Sequence, residues 1–207
     1  MNKILISSIS LMFLLAWWSS LTIGLSSDEY FHHINGLVRY KYLISFGEFD
    51  GYEFRNNRFY PGLYDTISYA IGQIILLIDK KFYANNIDFV MHLVNISFSS
   101  LSILGLYLIV KKIFNNNIAI LASLITLLNP FFFGHMGMNS KDVIIFFSLI
   151  WFCYYFYLYC VEDEKTTKNL LLASFFIGFG CGVRLTFPVV IFPVIICGLI
   201  FLFNKHK

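Results

Sequence analysis

Charge is scarce in this chain. Of 207 residues only 13% are charged against 58% hydrophobic, and the 15 Lys and Arg barely outnumber the 12 Asp and Glu. A water-soluble domain needs polar side chains over most of its exterior, so the shortage excludes one. The net charge of +3, with basic residues scattered between apolar runs and no basic stripe, gives no footing for nucleic acid. Cysteine is also sparse. Cys153, Cys160, Cys181 and Cys197 sit inside apolar runs without a CxxC pair, and read as small buried hydrophobes, not as a disulfide or zinc framework.

What the chain has in quantity is apolar length. Six runs, about 4–25, 88–110, 117–134, 143–160, 169–183 and 185–203, are long or apolar enough to span a bilayer. Each must be helical, because backbone N–H and C=O groups in hydrocarbon find no water and a helix pairs them internally. The expected fold is an all-α polytopic membrane protein with about six transmembrane helices, plus amphipathic juxtamembrane helices in the first outer loop. The first run exceeds the roughly 7–15 residue core of a signal peptide and reads as a retained anchor. The chain then forms a single membrane domain, 1–207: a first span over 1–25, an outer loop over 26–87, and five further spans over 88–207.

Orientation follows from the basic junctions. Lys3, the pair Lys111 and Lys112, Lys165 with Lys168, and Lys205 with Lys207 fall on one side if every run spans, and the positive-inside rule makes that side cytoplasmic. The N-terminus is then cytoplasmic. The acidic residues Glu162, Asp163 and Glu164 beside Lys165 read as a solvated turn. The connections 26–87, 135–142 and the turn at Arg184 lie outside. In the first of these, Phe31, Ile34, Leu37, Val38 and Tyr42 recur at helical spacing with Asp28, His32, Asn35 and Arg39 on another face, the pattern of a helix lying along the membrane surface. A turn-prone stretch with Gly47, Gly51, Asn56 and Asn57 follows. The run 63–78 after Tyr60-Pro61-Gly62 is short and carries Asp65, Ser68 and Gln73, so it reads as interfacial or re-entrant; if it spanned, everything after it would invert.

Chemistry-bearing residues gather on the outer side. Asp28 and Glu29 stand where the first span leaves the membrane. A carboxylate there can serve as a general base or hold a divalent cation, or it can simply end a helix at the water surface. Pairing Asp28 with His32, or Glu29 with His33, offers two ligands where zinc sites usually need three or four. In the turn 129–142, Pro130, Gly134 and Gly137 loosen a helix end, and Asn139, Lys141 and Asp142 collect at the start of the next helix. A helix N-terminus with a lysine suits a phosphate; the same residues also suit ordinary capping and snorkelling. Arg184, after Gly178, Gly180 and Gly182 and before Pro188, either snorkels to the interface or grips an anion with two hydrogen bonds.

Taken together these landmarks resemble the membrane glycosyltransferases of the GT-C class, in particular the family of the protein O-mannosyltransferases and the bacterial lipid A aminoarabinose transferase. The matching features are Asp28-Glu29 with a surface helix directly after the first span, Tyr60-Pro61-Gly62-Leu63, Gly134-His135 with Asn139, Lys141 and Asp142 after the third span, and Gly182-Val183-Arg184. The resemblance implies a glycosyltransferase that moves a sugar from a polyprenyl-phosphate donor to a protein, lipid or glycan acceptor on the non-cytoplasmic side. It places the catalytic role on Asp28, with Glu29 in support, and substrate binding on His135, Asn139, Lys141, Asp142 and Arg184. Lys141 and Arg184 would hold the donor phosphate. A divalent cation is left open, because some relatives use one. Family members carry further spans, so the chain corresponds to their N-terminal half. A bacterial inner membrane, or an equivalent bilayer such as the endoplasmic reticulum, is the expected location. The competing expectations are a transporter or flippase for a lipid-linked substrate and a non-catalytic membrane fragment.

Overall fold

In the computed structural model the described residues, 2–49, 60–162 and 167–205, form ten helices and no strand. Gly51, Asn56, Asn57, the charged positions Asp163 to Lys165, and His206-Lys207 lie outside them. The helices are α1 (Asn2–Thr22), α2 (Ser27–Ile44), α3 (Leu63–Ile78), α4 (Lys80–Asn85), α5 (Ile87–Ile113), α6 (Asn116–Leu128), α7 (Pro130–His135), α8 (Asp142–Val161), α9 (Thr167–Val183) and α10 (Phe187–Lys205). The chain is an all-α membrane protein: α5, α8 and α10 are each long and apolar enough to cross a bilayer, and α1, α3, α6 and α9 add shorter apolar helices. The lipid-facing character shows on the outside of the bundle, where Leu14, Trp18 and Val189 are 69%, 68% and 74% exposed.

One expected span is broken. The run 117–134 divides into α6 and α7 at Asn129-Pro130, because proline has no N–H for the helix ladder and drives the residue before it out of the helical region. Asn129 takes an extended backbone, ψ 117°, and its Oδ1 accepts the N–H groups of Phe131 and Phe132 at 3.0 and 3.3 Å, restarting the helix as α7. With 13 residues α6 is only about 20 Å long, short of the ~30 Å hydrocarbon core.

Three clusters hold the bundle. Ala16, Ile96, Ile103, Leu127 and Met136 join α1, α5, α6 and the turn after α7. Tyr64, Val94, Ile144, Phe147, Phe179 and Val183 join α3, α5, α8 and α9, and Phe152, Ala173, Phe187 and Ile191 join α8, α9 and α10. Close approach depends on glycine where helices touch. A Cβ on Gly137 would strike Ser20 of α1, and one on Gly182 would meet Leu63 Cβ of α3 at 2.9 Å.

The helix ends sort into two groups. At one end lie Ser20, Glu29, His92, Gly137 and Arg184; at the other, Lys112 pairs with Glu162 at 3.7 Å and Lys205 Nζ donates to the Val161 carbonyl at 2.9 Å. Because α1 finishes and α5 begins at the same end, where Glu29 meets His92 at 2.7 Å, the intervening α2, α3 and α4 make no net crossing. The inversion that a spanning α3 would bring does not occur.

Helix α2 is amphipathic as expected, and part of its polar face is turned inward: Glu29, His32 and Asn35 are 1%, 4% and 0% exposed, while Asp28 on that face is 80% exposed and Val38 on the apolar face is 5% exposed. The physical reason is partnership, since Asp65 of α3 hydrogen-bonds His32 and Asn35.

Candidate functional site

At the end of the bundle where α1, α6–α7 and α9 finish, a cavity of about 340 Å³ opens between α2, the turn 135–141 and the α9–α10 corner. Asp28, His135, Asn139, Lys141, Asp142 and Arg184 line it, joined by Ser26, His32, Met138 and Ser140. Six of the seven residues singled out from the sequence therefore share one cavity, although they come from separate parts of the chain. Each is brought there by local structure.

Asp28 sits in the first turn of α2. Its carboxylate, 80% exposed, lies 3.9 Å from Lys141 Nζ, which is 26% exposed. Lys141 Nζ also stands 5.5 Å from the centroid of the Tyr60 ring, a cation–π contact that fixes the ammonium at the cavity wall. Burial pushes the Tyr60 phenol above its ordinary range, and the positive charge of Lys141 opposes the rise. Asp142 accepts from Arg184, Nη1 to Oδ1 at 3.4 Å, across 42 residues. Both cations thus face the cavity through contacts with exposed carboxylates. Such exposed pairs are weak, so an incoming anion can displace the carboxylates cheaply.

Asn139 organises the turn. Its Oδ1 accepts the backbone N–H groups of Lys141 and Asp142 at 3.0 and 2.8 Å, and its Nδ2 reaches His135 Nδ1 at 2.9 Å and Asp142 Oδ2 at 3.1 Å. This answers the two readings of the 135–142 turn in an unexpected way. The Lys141 and Asp142 amides are taken by Asn139, and the Lys141 and Arg184 side chains add positive charge at the start of α8. The turn itself is pinned from below by α5. Asn95 Nδ2 donates to the Gly137 carbonyl at 3.0 Å, Ser99 Oγ to the Met136 carbonyl at 2.7 Å, and Tyr64 OH to Asn95 Oδ1 at 2.9 Å.

Glu29 is the residue that stays out of the cavity. Its Oε2 accepts the Ser26 backbone N–H at 2.6 Å and its Oε1 lies 2.7 Å from His92 Nε2, a close approach outside hydrogen-bond geometry. Neither i,i+4 pairing on α2 forms either: His32 turns to Asp65 of α3, Nδ1 to Oδ1 at 2.9 Å. Among the described residues no three His, Cys, Asp or Glu side chains are gathered as a metal ion would need.

Sequence reasoning passed over His92, Asn95 and Ser99, and it saw Asp65 only as a polar residue in a short run. The available signal was the spacing of three and four residues between His92, Asn95, Ser99 and Ser102 inside an otherwise apolar span, since intramembrane polar stripes face partners.

The structure is thus an all-α membrane bundle that ends in a polar cavity, where Asp28, Lys141 and Arg184 meet from three parts of the chain. A family model for dolichyl-phosphate-mannose-protein mannosyltransferases matches residues 73–207, and the chain belongs to that family. It is accordingly a glycosyltransferase of the GT-C type. The matched stretch contains His135, Asn139, Lys141, Asp142 and Arg184, while Asp28 and Glu29 precede it. No curated protein and no solved structure matches the chain.

Proposed function

We propose that the chain transfers a sugar from a polyprenyl-phosphate donor to a hydroxyl of a protein, lipid or glycan acceptor, on the non-cytoplasmic side of a bacterial inner membrane or an equivalent bilayer. The observation that carries this reading is the meeting of Asp28, Lys141 and Arg184 in one cavity at one end of the bundle. Lys111, Lys112 and Lys205 cluster at the other end, which favours placing that end in the cytoplasm and the cavity outside. The stretch 26–87 then forms the outer loop, with α2, α3 and α4 as its juxtamembrane helices.

In this reading the donor's phosphate replaces the Asp28 and Asp142 carboxylates as partner of Lys141 and Arg184. Arg184 grips two phosphate oxygens, and the charge that builds on the phosphate as the sugar departs is met by both cations. Asp28 accepts a hydrogen bond from the acceptor hydroxyl and aims its oxygen at the anomeric carbon, on the face opposite the departing phosphate. His135, Asn139 and Asp142 shape the donor side of the cavity, and Asp142 holds the Arg184 guanidinium there until the phosphate takes its place. Glu29 supports Asp28 indirectly, by closing the first turn of α2 onto Ser26 and α5.

The test is sugar transfer in membranes carrying the Asp28→Asn or the Arg184→Ala variant, with insertion checked by protease protection. Loss of transfer with insertion intact is expected. Transfer at the wild-type rate in both variants overturns the reading.

A further inference from the structure

A second cavity, of about 480 Å³, opens between α1, α5 and α6, toward the end of the bundle that carries Lys111 and Lys112 and away from the polar cavity. It runs along α1 from Ile6 to Phe13 and along α5 from Tyr107 back to Ser100, about 10 Å of helix in each case. Nearer the opposite end α1 and α6 pack together through Ala16 and Leu127.

The walls of this groove are mostly hydrocarbon. Ile6, Ile9 and Phe13 of α1, Ile103 and Leu104 of α5 and Ile120 of α6 supply them. Two of the serines that also line it have their hydroxyls engaged. Ser100 Oγ donates to the Ile96 carbonyl at 2.8 Å and accepts from Trp17 Nε1 at 3.2 Å, and Ser123 Oγ donates to the Ala119 carbonyl at 2.9 Å. A polar solute would therefore lose more hydration than the walls return, whereas an alkyl chain would not.

The mouth of the groove has the opposite character. Tyr107 OH donates to Asn116 Oδ1 at 2.6 Å, which keeps the Asn116 NH2 as a donor, and Lys111 Nζ stands 5.5 Å from the centroid of the Tyr107 ring. Lys3, three residues before Ile6, shares that residue's face of α1. Lys112 is spoken for by Glu162, at 3.7 Å. Among the described residues no acid lines the cavity. Hydrocarbon walls with amide and ammonium donors at one mouth are complementary to an alkyl chain that ends in an anion. The groove is reached from the bilayer, since Ile6 and Leu104 on its walls are 53% and 45% exposed.

We propose that this groove holds an anionic phospholipid of the leaflet on the Lys111 side, with an acyl chain between α1 and α6 and its phosphate among Lys3, Lys111 and Asn116. The proposal does not rest on the transferase reading, because it concerns the end of the bundle opposite the Asp28 cavity. It has a consequence for that cavity all the same. Helix α1 leads into Asp28, and α6 leads through α7 into the turn that carries Lys141, so a chain seated between α1 and α6 fixes their separation beneath the site.

The experiment titrates the delipidated full chain in detergent with phosphatidylglycerol or phosphatidylcholine and reads bound lipid by native mass spectrometry. Wild type is expected to hold one phosphatidylglycerol about 30-fold more tightly than phosphatidylcholine, the preference that two lysines at a membrane surface supply. The exposed double variant Lys3→Gln/Lys111→Gln is expected to lose that preference, and Lys205→Gln, whose ammonium sits on the Val161 carbonyl, to keep it. Leu104→Trp narrows the groove and is expected to weaken both lipids by about 10-fold. Should it fail to fold, Ser10→Phe on the facing wall makes the same test. Equal affinity for the two lipids in wild type overturns the proposal, as does a preference that survives in Lys3→Gln/Lys111→Gln or lipid binding unchanged in the groove-filling variant. Displacement of phosphatidylglycerol by glycerol phosphate alone would show a headgroup site without a chain. Displacement by a polyprenyl phosphate at lower concentration would make the groove part of the donor's path. Either result overturns it as well.

Discussion

Glu29 Oε1 lies 2.7 Å from His92 Nε2, with both side chains 1% exposed, so the acid that follows Asp28 in the sequence faces α5 and not the cavity. Adjacent acids on one helix point about 100° apart, so one can face a site while the other faces the core. Removing one side of a buried polar contact leaves the other side in an apolar setting. Glu29→Met is therefore expected to lower stability by about 2 kcal/mol. Adding His92→Leu should recover about half of that loss, leaving about 1 kcal/mol for the missing contact to the Ser26 N–H. Thermal unfolding in detergent of the two single variants and the double variant measures the coupling. Simple additivity would show that the two side chains do not hold α2 to α5.

Arg184 and Lys141 are not interchangeable in the proposed site. The guanidinium matches two phosphate oxygens at once, whereas an ammonium offers a point charge. Arg184→Lys keeps the charge and loses the fork, so the donor KM should rise by about 10-fold with kcat changed less. Initial rates against donor concentration decide it. An unchanged KM would mean that Arg184 serves only its 3.4 Å contact with Asp142.

Much of this arrangement is readable without coordinates, and the boundary is physical. Asp28, Lys141 and Arg184 stand at the ends of apolar runs, where charge is conspicuous, and alternation of the spans carries them to one side. Helix α2 was legible as amphipathic but not in its facing, because periodicity reports that two faces differ and not which solvent each one meets. Pairings such as His32 with Asp65 or Asn95 with the Gly137 carbonyl join positions far apart in the sequence, and depend on which helices are neighbours. The break at Asn129-Pro130 was written in the residues. The apolar character continuing through Phe133 concealed that the backbone had already turned.

The contact of α2 with α3 depends on a glycine. A Cβ on Gly36 would strike the Asp65 carbonyl oxygen and meet Tyr69 Cβ at 2.9 Å, and backbone cannot rotate away as a side chain can. Gly36→Ala is expected to push the helices apart, strain the His32–Asp65 contact and cost about 1–3 kcal/mol. Gly178→Ala is the control, since a Cβ there meets nothing within 4 Å. In the middle of α9 alanine should be neutral or stabilise by about 0.5–1 kcal/mol. Melting temperatures that fail to separate the two variants would refute the claim that Gly36 is needed for contact and Gly178 is not.

Acid should weaken the α2–α3 contact through His33. Its ring is tilted against Tyr69 with centroids 5.4 Å apart, and burial holds its pKa below the ordinary 6.5. The folded protein then binds a proton less readily than the unfolded chain. Above pH 6.5 neither state is protonated there and His33 contributes no pH dependence. As pH falls below that value the unfolded state takes up the proton first, so stability is lost until the folded pKa is passed, beyond which the loss levels off. His33→Gln removes the titrating group, and its unfolding temperature should fall less between pH 7.5 and pH 5.5 than that of wild type. His32 and His92 remain in both proteins, so the difference between the two slopes belongs to His33. Parallel slopes would show that the ring exchanges its proton as freely in the folded protein as in the unfolded chain.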